Sequence, residues 1–326
     1  MFRLFECCAL SFFERFVLSF SLKIERFVSD SAEIWICGLY KSALWRDEDI
    51  ADSITTHAIR FIENSKRSGE PFFLYLATND IHVPRVPHER FAGKSGLGPR
   101  GDALLSFDWT VGQVMETLKK LNLDDNTIII LSSDNGAVID DGYKDQAVEL
   151  LGNHKATGVY RGGKYSSYEG GTRVPCVIRW KGKIPAGVSD NLVSQIDWFA
   201  SFASMCGVNL PEGSAPDSEN HLDSWLKADV KGRSWAVEQN LHNNLSITDG
   251  VWKYIPAANG PAVNKQTNTE LGNNPKADQL YNLLSDPGEH SNVAEENKEL
   301  VQKMRDELIR IVESGLHIQP GYFISK

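Results

Sequence analysis

The chain has 326 residues, of which 41% are hydrophobic and 24% are charged. This composition is ordinary for a globular protein and excludes disorder as the main state. Lys and Arg number 34 against 43 Asp and Glu, and the net charge of −9 at pH 7 argues against a nucleic-acid partner held by phosphate neutralisation. No apolar run reaches the roughly 18 residues of a transmembrane helix, so we expect no membrane span.

Residues 1–45 form an atypical N-terminal segment, rich in Phe and Ser and without clear periodicity. One interpretation is a short amphipathic helix followed by a linker. The other is that this stretch is not the natural start of the fold that follows. Glu6, Glu14 and Arg15 interrupt the apolar run that a signal peptide requires, so the segment is a poor signal peptide.

The five cysteines are scattered and include no C-x-x-C pair, which argues against a disulfide framework or a zinc cluster. Their odd number leaves the redox compartment open. They are Cys7, Cys8, Cys37, Cys176 and Cys206.

From Asp47 onward, helices alternate with apolar strands. Asp47 can cap a helix whose apolar residues recur at helical spacing as far as Gly69. Residues 72–77 and 127–131 read as buried strands, and residues 101–121 between them read as a helix. This alternation, with continuously apolar strands, predicts an α/β fold with a mostly parallel sheet and helices on both faces.

A third strand is predicted at residues 175–180 and a further helix at 195–205. The glycine-rich polar stretch before them, residues 136–171, is a long loop of the kind that is usually functional. We assign residues 46–207 to this partial α/β core and residues 208–326 to a smaller C-terminal α+β subdomain.

The C-terminal subdomain has polar loops and short elements. Strands are predicted at residues 252–255 and 280–283, where aromatic and aliphatic residues cluster. Residues 293–313 have helical spacing of apolar side chains and predict a terminal helix.

Polar side chains follow the predicted strands at three places. His82 comes after the first strand, and Asp134 and Asn135 come directly after the second. His154 and Lys164 lie on the long loop. Because ligands bind beyond the carboxyl ends of the strands in an open α/β sheet, we expect these side chains to converge on one pocket.

Each of these residues also has an ordinary structural interpretation. Asp134 and Asn135 offer the oxygen ligands that Ca²⁺ and Mg²⁺ prefer, although Asp-Asn-Gly alone is more typical of a turn. Lys164 offers a compact positive charge to an oxyanion, although most surface lysines are only solvated. His82 could donate a proton or contact an anion, or be a loop histidine with a local partner. Their occurrence together favours a site.

The order of these segments resembles the C-terminal half of the sulfatase family, in the alkaline phosphatase-like superfamily. The segments are strand–His-x-Pro, strand–Ser-Asp-Asn-Gly, and then Gly-Gly-Lys…Tyr-Glu-Gly-Gly-x-Arg-x-Pro. Leu-Tyr-Asn-Leu at 280–283 with Asp-Pro-Gly-Glu at 286–289 is similar to the family's closing strand and turn. The resemblance covers about residues 45 to 315 and implies an alkaline phosphatase-like sheet whose N-terminal strands are missing.

The resemblance implies a role at each matching position. Asp134 and Asn135 would be two of the calcium ligands. His82 would contact the sulfate or the leaving-group oxygen, Lys164 would bind the sulfate, and His154 would lie beside the substrate. For Arg173, in the Gly-Gly-x-Arg-x-Pro segment, we favour a structural ion pair.

The chain departs from the family pattern in its first part. Nothing before Asp47 reads as an apolar strand ending in paired aspartates, and residues 7–11 lack the Pro and Arg of a C-x-P-S-R or S-x-P-S-R segment. The formylglycine nucleophile that the resemblance implies is therefore not found. Two oxygens are few for Ca²⁺, which takes about six to eight, so we expect a partial, weak site. We expect a truncated or misread upstream region and an exposed apolar sheet edge.

The sequence thus predicts a sulfuric ester hydrolase acting on a sulfated small molecule or glycan at a calcium site, with the activity of this chain alone in question. Two alternatives are a nucleophile-free relative that binds sulfated glycans and a phosphoesterase of the same superfamily. A third is a fragment without a stable fold. The resemblance favours an exported or lysosomal location, and the oligomeric state is unknown.

Overall fold

The computed structural model describes residues 23–27, 46–227 and 230–314. Most of the atypical segment 1–45, with Cys7, Cys8 and Cys37, therefore lies outside the described residues. Within the described ranges, Cys176 and Cys206 are exposed free thiols. None of the helices in these ranges has the length and apolar character needed to cross a bilayer.

The chain forms two compact units. The first comprises residues 1–127 and 143–152, and the second comprises residues 128–142 and 153–326. The strand that precedes Asp134 thus belongs to the same unit as the C-terminal elements. The boundary at residue 208 stays a prediction.

Two long helices and a pair of parallel strands form the first unit. Strand β1 (Lys23–Phe27) pairs in parallel with β2 (Phe72–Leu76). Helix α1 (Ile50–Ser68) packs against α2 (Gly98–Lys120). α1 ends at Gly69, whose φ of 71° is left-handed and favours glycine at a helix C-terminus.

The sequence did not predict β1. Its five residues, Lys-Ile-Glu-Arg-Phe, do not alternate strictly between charged and apolar, because Glu25 and Arg26 are adjacent, so the strand period gives only a weak signal. The strand is defined by its pairing with β2, a contact between segments about 50 residues apart that local periodicity does not reveal.

A buried hydrogen bond joins the two helices of the first unit. The Thr55 hydroxyl donates to the Thr110 hydroxyl at 3.0 Å, and both residues are 1% exposed. We expect Thr55→Val to destabilise the unit by about 1–2 kcal/mol, because it leaves the Thr110 hydroxyl buried without this partner. Chemical unfolding checks this, with Thr56→Val on the exposed side of α1 as the control. Equal stability of the two variants would contradict the expectation.

The second unit begins with strand β3 (Ile129–Ser132), which pairs antiparallel with β4 (Cys176–Arg179). A single helical turn, α3 (Glu169–Thr172), directly precedes β4. Helices α4 (Asp197–Met205) and α5 (Leu222–Leu226) follow.

The core strands differ in two respects from the predicted sheet. Among the described strands only β1 and β2 are parallel, since the long loop returns the chain so that β4 runs opposite to β3. Each of these strands has one neighbour in the described ranges, so its side chains are less buried than their apolar character suggests. Tyr75 is 60% exposed and Val177 is 56% exposed.

The C-terminal part contains a four-stranded antiparallel sheet in the order β10–β7–β6–β5. The strands at residues 252–255 and 280–283 are confirmed, and the terminal helix begins five residues later than predicted. The elements are β5 (Ala236–Gln239), β6 (Leu245–Thr248), β7 (Trp252–Ile255), β8 (Val263–Asn264), β9 (Thr269–Glu270), β10 (Gln279–Asn282) and α6 (Lys298–Ser314).

Helix α6 and this sheet share a hydrophobic core. Met304 and Leu308 are one helical turn apart on the same face of α6 and are fully buried. They pack with Ile247 of β6, Tyr254 of β7 and Leu280 of β10. β7 is therefore packed against α6 and paired with both β6 and β10.

Candidate active site

The loop after β3 presents two oxygen ligands. The Asp134 carboxylate is exposed, and no protein group bonds it within the described ranges. The Asn135 side-chain amide donates to the Gly136 carbonyl at 2.9 Å, which leaves its oxygen as an acceptor. The Gln195 amide holds the start of the loop through a 3.1 Å hydrogen bond to the Ser132 hydroxyl.

Close backbone contacts bring this loop against the turn that carries Lys164. The Lys164 N–H donates to the Ala137 carbonyl at 3.0 Å, and the Gly136 N–H donates to the Gly171 carbonyl at 2.9 Å. A Cβ on Gly136 would lie 1.8 Å from the Gly170 carbonyl oxygen. Only glycine allows this approach, so the loop of Asp134 and the Lys164 turn are held together.

At three further glycines, an added Cβ would also lie too close to a backbone carbonyl oxygen. A Cβ would lie 2.6 Å from the Ala137 carbonyl oxygen at Gly163 and 2.4 Å from the Arg161 carbonyl oxygen at Gly170. At Gly171 it would lie 2.5 Å from a carbonyl oxygen. We call Gly136, Gly163, Gly170 and Gly171 the glycine junction.

Lys164 lies half-buried on its turn. Its ammonium is 5.4 Å from the centroid of the Tyr165 ring. The Leu241 N–H donates to the Tyr165 carbonyl at 3.0 Å, and the Ser167 N–H donates to the Leu271 carbonyl at 3.1 Å. Besides its contact with the loop of Asp134, the Lys164 turn is therefore hydrogen-bonded to the C-terminal part of the chain.

A buried cluster of charges lies next to α3. The Lys253 ammonium of β7 is 3.0 Å from a carboxylate oxygen of Glu169 and 3.3 Å from the Thr172 hydroxyl, and it also contacts Glu238 of β5. The Glu169 N–H donates to the Glu289 carboxyl at 2.7 Å. Lys253 and Glu289 are both fully buried.

Glu169 and Glu238 contact the Lys253 ammonium, and Glu289 interacts with it electrostatically. The pKa values of the three carboxyl groups differ. Burial favours a higher pKa for Glu169, but Lys253 and Arg173 outweigh it and lower the pKa below its ordinary value. Burial raises the pKa of Glu238 and raises that of Glu289 to about 7. Arg173 donates to Glu169 at 3.0 Å, the structural ion pair expected from the sequence.

The sequence did not identify this cluster. Its patterns mark Glu169 only as part of a motif and Lys253 only as part of a strand. A usable signal was present, because Lys253 is the one charged residue in a strand reading Trp-Lys-Tyr-Ile, and a buried lysine requires a carboxylate partner.

His82 belongs to the first unit and lies exposed on the loop after β2. Its Nδ1 donates to the Val83 carbonyl at 2.7 Å, and its backbone N–H donates to the Asn79 carbonyl at 2.9 Å. Burial raises the pKa of the neighbouring Asp80 to about 6. Arg85, which is 6% exposed, bonds the Ile81 carbonyl and fixes the loop from behind.

The predicted site residues are thus brought together in part. The structure joins the segments of Asp134, Asn135 and Lys164 through the glycine junction. His154 lies exposed on the long loop, in the second unit, and forms no hydrogen bond to other described residues. That His82 and His154 converge with the other three stays a prediction.

The chemistry of the Asp134–Asn135 pair fits part of a calcium site. Both offer the hard oxygen atoms that Ca²⁺ binds, but the ion takes about six to eight of them. In the described part of the chain, no group of three or more His, Cys, Asp or Glu side chains could hold a metal ion. These two residues therefore fit as a portion of a larger ligand set.

Comparisons with known proteins identify the family of this chain. The Sulfatase family model matches residues 12–208, which includes part of the atypical N-terminal segment. An N-acetylgalactosamine-6-O-sulfatase of Bacteroides thetaiotaomicron is 54% identical over 83% of this chain and 52% of its own length. Human steryl-sulfatase is 34% identical over 53% of this chain and 29% of its own length. The chain thus spans about half or less of these relatives.

A solved structure agrees with the fold. It is described as a 6S-sulfatase from glycosaminoglycan metabolism by Bacteroides thetaiotaomicron, and it is 54% identical with a TM-score of 0.80. The match covers 83% of this chain and 56% of that chain. The predicted α/β class and alkaline phosphatase-like fold are confirmed, and this chain belongs to the sulfatase family.

Proposed function

We propose that this chain supplies part of the active site of a hydrolase that removes sulfate from a sulfated sugar. The observation that carries the proposal is the glycine junction, which joins the turn of Lys164, a candidate anion contact, to the loop of Asp134 and Asn135, the candidate calcium ligands. The 54% identical relative is an N-acetylgalactosamine-6-O-sulfatase, which supports 6-O-sulfated N-acetylgalactosamine as the substrate.

The chemistry of the substrate requires both charges. A sulfate monoester concentrates negative charge that must be offset before any nucleophile approaches the sulfur atom. Lys164 would bind the sulfate oxygens, and Asp134 and Asn135 would hold a calcium ion that polarises the sulfate when bound. We assign His82 to the leaving-group oxygen and His154 to a place beside the substrate.

Replacing Lys164 tests the anion site. We expect Lys164→Ala to weaken the binding of N-acetylgalactosamine 6-sulfate at least about tenfold, the loss typical of a charge-assisted hydrogen bond. Isothermal titration of the sugar into the whole chain, in calcium buffer, measures this. Lys183→Ala, at an exposed lysine of the same unit, is the matched control. The proposal fails if Lys164→Ala binds as the wild type does, or if the unsulfated sugar binds equally well.

A second candidate is a binding protein for sulfated glycans. The contact proposed for Lys164 is consistent with it, because an ammonium binds a sulfate whether or not the ester is then cleaved. Sulfate release is measured with this chain alone and with the N-terminal part of the 54% identical relative added. Release in either sample supports the hydrolase, and binding without release in both supports the binding protein. The phosphoesterase alternative loses support, since the relatives described above are sulfatases.

A further inference from the structure

Both side chains of α3 that can form polar contacts reach the same buried ammonium. The helix reads Glu-Gly-Gly-Thr, so only its first and last residues have side chains beyond Cα. Glu169 bonds the Lys253 ammonium at 3.0 Å and Thr172 bonds it at 3.3 Å. Lys253 of β7 therefore fixes the position of this helical turn within the second unit.

Burying the Lys253 ammonium costs desolvation free energy, which an apolar structural contact would not. Its side chain is fully buried, and removing an ammonium from water is compensated only by good geometry with carboxylates. Well-packed apolar residues often serve stability equally well at such positions, so we ask which geometry this ion pair imposes.

The geometry that the pair imposes is that of the glycine junction. The two middle residues of α3, Gly170 and Gly171, contact the backbone of Gly136 directly, and the Gly136 N–H donates to the Gly171 carbonyl at 2.9 Å. Gly136 immediately follows Asn135. The Gly170 N–H donates to the Arg161 carbonyl at 2.8 Å, on the segment that leads into Lys164.

We propose that Lys253 and Glu169 are positioning residues: through α3 they set where Lys164 and the Asp134–Asn135 pair stand relative to each other. The roles of those three residues rest on the proposed function. The mechanical link from β7 through α3 to the junction does not, because it is defined by the side-chain contacts of Lys253 and by the backbone contacts of the junction.

Hydrogen–deuterium exchange on the whole chain tests the link without requiring activity. The reporters are the amides of Gly136 and Lys164, which donate within the junction. We expect Glu169→Gln, which keeps the side-chain volume and removes the charge, to speed exchange at both amides about tenfold or more. Lys253→Met should have the larger effect. If Lys253→Met fails to fold, Glu169→Gln still decides the outcome.

A matched control separates positioning from general loss of stability. Arg305→Met breaks a different ion pair of the same unit, the one between α6 and Asp278. It should leave the exchange of Gly136 and Lys164 as in the wild type. Exchange in β10 should stay slow in Glu169→Gln. The inference is overturned if Glu169→Gln speeds exchange by the same factor at all amides of the unit. It is also overturned if the exchange rates of the Gly136 and Lys164 amides do not change.

Binding of N-acetylgalactosamine 6-sulfate by the same variants gives the functional readout. We expect Glu169→Gln to bind the sulfated sugar several-fold more weakly than the wild type does. Arg305→Met should bind it with the wild-type affinity. Unchanged sugar affinity in Glu169→Gln, with the junction loosened, would overturn the positioning role. Unchanged affinity in Lys164→Ala would instead overturn the proposed function, while the exchange experiment still reports on the link.

Discussion

Gly136→Ala should destabilise the second unit by about 3 kcal/mol and abolish its binding of the sulfated sugar, because the new methyl group has no space. The added Cβ would lie 1.8 Å from the Gly170 carbonyl oxygen and 2.8 Å from its carbonyl carbon. Both atoms are backbone, so neither can rotate away as a flexible side chain would. The loop of Asp134 and the Lys164 turn would have to separate.

Chemical unfolding and titration with N-acetylgalactosamine 6-sulfate measure this effect. Gly187→Ala is the control, since a Cβ there meets no atom within 4 Å in the same unit. We expect it to change stability by less than about 0.5 kcal/mol. Similar stability and sugar affinity for both variants would show that the junction is not as tight as its geometry requires.

Glu289→Gln should make the stability of the second unit less dependent on pH. Glu289 is fully buried, and burial raises its pKa from 4.5 to about 7, with Glu169 and Glu238 acting in the same direction and Lys253 against it. The folded state therefore binds this proton more tightly than the unfolded state does. Stability from this group is present at low pH and is lost as pH rises from about 4.5 to about 7, by up to about 3 kcal/mol in all.

Glutamine cannot lose that proton, and its side-chain oxygen can still accept the Glu169 N–H. We expect the stability of Glu289→Gln relative to the wild type to increase by up to about 3 kcal/mol between about pH 5 and pH 8. Urea unfolding of both proteins across this range gives the difference. Glu299→Gln, at an exposed residue of α6, should follow the wild-type profile. A constant difference between Glu289→Gln and the wild type would mean that Glu289 does not titrate in this window.

The local patterns of the chain were sufficient for much of the fold and for the candidate ligands. Helical spacing predicted α1 and α2, and short clusters of aromatic and aliphatic residues predicted β7 and β10. The Ser-Asp-Asn-Gly and Gly-Gly-Lys segments predicted a candidate site, because oxygen ligands and an ammonium followed predicted strands. Period and residue chemistry are properties of a few neighbouring residues, so the sequence displays them directly.

Only the tertiary structure decided which distant segments meet. The pairing of β1 with β2, the approach of Gly136 to Gly170, and the pair of Lys253 with Glu169 each join residues at least 34 positions apart. A glycine looks the same in sequence whether it permits a turn or a close backbone contact. A lysine looks the same whether it is solvated or buried against a carboxylate. Burial and proximity depend on the whole packing, which local periodicity does not encode.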